Sequence, residues 1–224
     1  MKFTLVILTM AVVAAAMAQE QQRRMDGGTL KKIILDELCS GHRPPIQRDA
    51  NNNVIPYHRP TAQDIANWHN VSAEQMANIL EEMLRENLSA FEKIPEPNPE
   101  DWDARGIYNG AALGVFPLIR ALQTFHGADT IDLLKKSIMV NHNLISDNAI
   151  ETYVVIDGVK SFPFFREVIK SEGLNQGQRN RIIQRLQGTI TKLAEKKQAA
   201  DVEQFDAFLR EMKQTEKPKE NGGN

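Results

Sequence analysis

Ser72-Ala73-Glu74-Gln75-Met76-Ala77-Asn78-Ile79-Leu80-Glu81-Glu82-Met83-Leu84-Arg85-Glu86-Asn87-Leu88-Ser89-Ala90-Phe91 carries the clearest pattern in the chain. Met76, Ile79, Leu80, Met83, Leu84, Leu88 and Phe91 recur three and four residues apart, the spacing that gathers side chains on one face of an α-helix. Ser72 stands at the N-cap, and Gln75 follows at the capping-box position. Glu81, Glu82 and Glu86 make the charged side. Upstream, Thr61 opens a shorter helix with Asp64 at the same box spacing. Leu30, Ile33, Ile34 and Leu38 predict another helix over 30–39, with Thr29 as its N-cap and Gly41 just past its end.

Two segments interrupt this helical reading. Residues 41–60 are rich in proline and asparagine, and Asp49-Ala50-Asn51-Asn52-Asn53 is turn chemistry between two short stretches. They read as a small irregular hairpin loop. Downstream, Ile94-Pro95-Glu96-Pro97-Asn98-Pro99-Glu100-Asp101-Trp102 holds three alternate prolines, which exclude a helix. Residues 94–102 are therefore expected to link an N-terminal helical module, 27–93, to a second one, 103–213. The acids of the linker have neither the spacing nor the glycine of a calcium loop.

The second module repeats itself. Phe116-Pro117-Leu118-Ile119-Arg120-Ala121-Leu122 returns as Phe162-Pro163-Phe164-Phe165-Arg166-Glu167-Val168, with a fainter echo at Phe208-Leu209-Arg210-Glu211-Met212. Proline suits the first position of a helix, where its missing N–H is not needed, so both Phe-Pro pairs read as helix starts. Further helices are expected over 104–113, 130–140, 147–156, 176–197 and 201–213. Asp157-Gly158, flanked by Thr152-Tyr153-Val154-Val155-Ile156 and Val159-Lys160-Ser161-Phe162, is also a hairpin pattern. Helix is preferred there, because Ser146-Asp147 suits a cap and the next helix begins at Phe162. Helix pairs whose second member opens on proline, at a period of about 40–47 residues, resemble HEAT-type repeats. The resemblance covers 103–172 and extends faintly to 213. It implies an all-α fold of irregularly stacked helix pairs that serves as a binding platform.

The ends suggest export. Met1-Lys2-Phe3 leads into an apolar run closed by Ala16-Met17-Ala18, and Gln19-Glu20-Gln21-Gln22 is abruptly polar. This is the layout of a cleavable secretory signal over 1–18, too short for the roughly 20 apolar residues of a membrane span. A soluble periplasmic or extracellular protein is the expectation. Residues 214–224 have nothing apolar to bury and read as a disordered tail. The net charge of −2 includes Lys2, and its mildness does not suggest a polyanion partner for the whole chain. The single cysteine, Cys39, reads as a small core residue, with pairing to another chain as the alternative.

No pattern specifies chemistry. His42, His58, His69, His126 and His142 lack metal-ligand spacing, and no nucleophile elbow, phosphate loop or dinucleotide fingerprint is present, so no metal or cofactor is expected. His42 and His58, with Arg43, Arg48 and Arg59 nearby, flank the hairpin loop as either a basic anion pocket or a solvated loop. Gly106, Gly110 and Gly114 line one helix face, which suggests close internal packing. Asn70-Val71-Ser72 and Asn87-Leu88-Ser89 match the glycosylation pattern but lie in or beside helices.

The 176–197 segment buries Ile182, Ile183, Leu186, Ile190 and Leu193 and turns a basic surface outward. Arg179, Arg181, Arg185, Lys192 and Lys196 are the candidate residues for an anionic partner, either an acidic protein face or an envelope component. The alternative is a solvated face paired with acids such as Glu203 and Asp206. The function expected is an exported, non-catalytic binding or scaffold protein that holds another macromolecule on helix-pair surfaces. The alternative is an envelope hydrolase with a site assembled in space, using carboxylates such as Glu151 and Glu167.

Overall fold

A computed structural model describes residues 25–39, 59–195 and 199–215; over 199–202 and 213–215 it describes the backbone alone. Residues 1–18, read above as a leader, most of 41–60, read as a hairpin loop, His42, His58 and Lys196 lie outside the described residues. So does the end of the tail. Every regular element among the described residues is helical.

Helix α1, Gly27–Ile34, continues into a widened π-type turn, Leu35–Cys39. Its cap is Asp26 rather than Thr29: Thr29 donates its N–H to Asp26 Oδ1 at 2.9 Å and its hydroxyl to Oδ2 at 2.5 Å. The sequence places both cap-forming types within one turn, and the more N-terminal one takes the cap. Helix α2, Ala62–His69, has the full capping box, with Thr61 N–H donating to Asp64 and Asp64 N–H to the Thr61 hydroxyl. Asn70 ends α2 at φ 52°, the left-handed conformation that asparagine tolerates better than most residues.

Helix α3, Ala73–Phe91, buries the whole expected apolar face. Ser72 caps it by accepting the Gln75 N–H, but the Gln75 side chain reaches away to the Met25 carbonyl, at 2.8 Å, and ties down the start of α1. Lys31 of α1 bridges Glu82 and Glu86 on α3. Glu81, expected on the charged side, is instead buried. The α3 surface is covered from more than one direction, so the helical wheel alone does not decide its exposure.

After the prolines, Asp101 caps helix α4, Trp102–Ala121, by accepting the Ala104 N–H at 2.9 Å. This single helix replaces the expected break before Phe116. Pro117 sits inside it and is buried. Proline there removes the N–H that would bond the Leu113 carbonyl. Asn87 of α3 braces the same turn by donating its side-chain N–H to the neighbouring Gly114 carbonyl at 3.2 Å. That bond also engages the asparagine of the second glycosylation pattern.

Helix α5, Thr130–Ile138, and helix α6, Asn143–Asp157, follow. The β-branched run at 154–156 is helical, and Gly158 ends α6 at φ 56°, ψ −131°. That backbone favours glycine, so Asp157-Gly158 serves as a helix stop rather than a hairpin turn. One 3₁₀ turn, Gly158–Ser161, leads to helix α7, Phe162–Lys170, with Pro163 in its first turn as expected. The two Phe-Pro pairs thus occupy different structural positions. Pro163→Ala is expected to change the unfolding free energy by less than about 1 kcal/mol, because the proline N–H is not missed at a helix start. Urea unfolding checks this, and a larger loss would mean that the ring supports the turn at Gly158.

Helix α8, Gln176–Ala194, and helix α9, Ala199–Thr215, complete the chain. Asn175 and Gln178 form the capping box of α8. Buried side chains from Leu30 to Met212 make one contiguous core. Helix α6 lies at its centre, packed against α4, α5 and α8. Among the described residues no helix is long and apolar enough to cross a membrane.

Candidate functional site

The basic residues of α8 point largely inward. Arg181 comes within 3.5 Å of Asp147 on α6, at ion-pair distance but without hydrogen-bond geometry. Arg185 pairs with Glu151, also on α6, and donates to the Asp147 carbonyl at 3.3 Å. Arg179 donates to the Ser171 carbonyl at 2.7 Å, closing the turn before α8. Burial raises the Asp147 carboxyl above its usual value, while Arg181 and Arg185 pull it back. Lys192 is exposed. The structure therefore brings Arg179, Arg181 and Arg185 together as a seam between α8 and the helices before it. Their partners, Asp147 and Glu151, lie on α6 rather than on α9, where Glu203 and Asp206 are found. Of the other carboxylates singled out from the sequence, Glu167 is exposed on α7.

His142, at the start of α6, packs edge-on to Phe91 and tilted against Tyr108, with centroids 5.6 and 5.2 Å away. Burial lowers its pKa, and the charge of Arg181 lowers it further. A shallow, open hollow beside it is lined by Asn109, Leu113, Asn141, Asn143 and Leu144. Asp147 does not line that hollow. Cys39 is buried, and desolvation pushes its thiol up to about 11, against an opposing pull from Arg59. It is a protonated core residue at neutral pH, as expected from the sequence. Among the described residues no group of three His, Cys, Asp or Glu is placed to hold a metal ion.

Two features of α4 were not anticipated. Three apolar side chains are spread along the open side of its first three turns: Trp102 is 77%, Ile107 65% and Leu113 48% exposed, with Ile107 roughly 120–140° around the helix from the other two. Gly106 and Gly110 lie on the same side, and a Cβ added to either would meet nothing within 4 Å. The glycines therefore open a shallow furrow to solvent instead of admitting an internal helix. Arg105 lies over the Trp102 ring at 5.0 Å, and Glu100, Asp101 and Asp103 leave an acidic rim.

The last turns of α4 form one wall of a cleft of about 450 Å³, closed on the other side by Leu38 and by the chain entering α2. Arg59 and Arg120 both line it. The sequence placed Arg59 beside a basic loop, but it did not pair it with Arg120, because only tertiary packing brings the two helices together. Comparison with protein families, with characterised proteins and with solved structures found no match to this chain.

Proposed function

We propose that this chain is an exported, non-catalytic binding protein that holds a protein partner on its helical surface. The exposed side chains of Trp102, Ile107 and Leu113, spread over the open side of α4, carry the reading. Exposed apolar side chains along one helix, with an aromatic anchor and two glycines that let a partner approach, suit helix-on-helix recognition. The acidic rim favours an amphipathic partner helix with basic flanks. A protein partner is preferred over an anionic envelope component, because Arg179, Arg181 and Arg185 already hold α8 in place. The platform role keeps the HEAT-like resemblance, and export rests on the leader-like residues 1–18. No observation adds to the hydrolase alternative.

A synthetic leucine–lysine amphipathic helix is a direct probe. Titrated against the Trp68→Phe variant, it is expected to shift Trp102 emission to the blue and to saturate. An alanine–lysine helix of equal charge should bind at least about tenfold more weakly. The double variant Ile107→Asp/Leu113→Asp should lose binding while keeping its far-ultraviolet spectrum, since both residues are exposed. Equal binding of the two peptides, or full binding by the double variant, would refute the proposal.

A further inference from the structure

The cleft at the other end of α4 stands apart from that face and has its own chemistry. Its volume of about 450 Å³ suits a small organic ligand. The larger apolar side chains of its lining are Leu38, Pro60, Phe116 and Pro117. Gln63, Gln123 and Thr124 lie among the polar lining residues, and no acidic side chain lines it among the described residues. Arg59 donates to the Leu38 carbonyl at 2.7 Å, which fixes its guanidinium at the cleft. Arg120 is exposed and forms no ion pair among the described residues, although most of the other described arginines do or bond a carbonyl.

Pro117 contributes to this geometry. Placed inside a continuous helix, it presents a rigid apolar ring to the cleft in a turn where an ordinary residue would present a flexible side chain. Arg120 lies three residues further on, so it shares that side of the helix. An apolar wall and two cations within one cleft select a ligand with one apolar and one anionic end.

We propose that the cleft between α4 and the start of α2 binds a small amphipathic anion. Arg120 takes its single charged head, with the positive charge of Arg59 at the same cleft, and Leu38, Phe116 and Pro117 take its apolar body. A carboxylate and a phosphate monoester offer the guanidinium groups the same oxygen acceptors, and affinity for each distinguishes the two sources.

Isothermal titration of the full chain with decanoate, decyl phosphate and 1-decanol, each below micelle-forming concentrations, tests this. At least one of the anions is expected to bind with one site per chain, and decanol at least about tenfold more weakly. Arg120→Gln should weaken the anion by about tenfold or more and leave decanol unchanged. Arg120 is the better choice for substitution, because Arg59 also holds the chain at Leu38. Thr124→Trp, at an exposed lining position, should block every ligand. Binding should persist in Ile107→Asp/Leu113→Asp, so failure here and failure of the protein-binding face are separable. The proposal is overturned if neither anion binds, if decanol matches the anions, or if folded Arg120→Gln retains full anion affinity.

Discussion

Phe208→Ala is expected to lower the unfolding free energy by about 3–5 kcal/mol, the range for truncating a fully buried phenylalanine. Phe208 is 1% exposed, and its ring stacks on Phe162 with centroids 4.0 Å apart and planes within 5°. Arg166 lies over the same ring at 5.3 Å and forms an ion pair with Glu211 at 2.8 Å. Phe205 adds an edge contact to Phe162. These groups dock α9 on the turn and helix that follow α6. Truncation therefore removes the centre of the contact and leaves a void against Phe162. Urea unfolding should show a lowered midpoint, and hydrogen exchange should show α9 amides opening first. Phe208→Leu should recover much of the loss by refilling the space. A change below about 1 kcal/mol for Phe208→Ala would mean that α9 contributes little to the fold.

Glu81→Ala should cost about 2–3 kcal/mol, because it leaves the buried Thr130 hydroxyl without its charged acceptor and the Gly127 N–H with the Thr130 oxygen alone. Glu81 is 5% exposed. Its Oε1 accepts the Gly127 N–H at 3.1 Å and the Thr130 hydroxyl at 2.5 Å. Asp129 stands at the cap of α5 but makes no capping bond there, and pairs with Arg85 instead. The Glu81 carboxylate instead fixes the Gly127–Thr130 turn that leads into α5, and its charge is favourable beside a helix N-terminus. Gly127 is required by this contact: a Cβ there would lie 2.8 and 2.9 Å from the two carboxylate oxygens. Gly127→Ala alone should cost about 1–3 kcal/mol through overpacking. Added to Glu81→Ala, it should cost almost nothing more, because the clashing group is gone. Thermal unfolding of the two single variants and the double variant measures that coupling. Additive losses would show that glycine is needed at 127 for another reason.

The candidate site was only partly legible from the residues. Arg179, Arg181 and Arg185 were visible as a basic run, but a run of charge carries no information about which helix will face it. Asp147 and Glu151 lie more than 25 residues earlier in the chain, and packing of α6 against α8 makes them partners. Similarly, Trp102, Ile107 and Leu113 give no periodic signal by themselves, since apolar residues spread around α4 on both its covered and its open sides. Arg59 and Arg120 belong to segments that are separated by two helices, α2 and α3, and the proline stretch.

Local chemistry alone determined that the protein is helical and where most helices begin. Thr61 with Asp64, Ser72, and Pro163 are caps and starts whose physics is complete within one turn of chain. The three- and four-residue spacing of the α3 core residues is local in the same sense. Tertiary structure decided the rest. Pro117 lies within a continuous helix that packs against α3 and α6, and Val154-Val155-Ile156 are helical where α6 is enclosed by α4, α5 and α8. Glu81 is buried because Gly127 and Thr130 arrive to satisfy it. In each case a local preference worth about 1 kcal/mol, or a few for a proline, is outweighed by contacts between residues far apart in the chain, which no local pattern records.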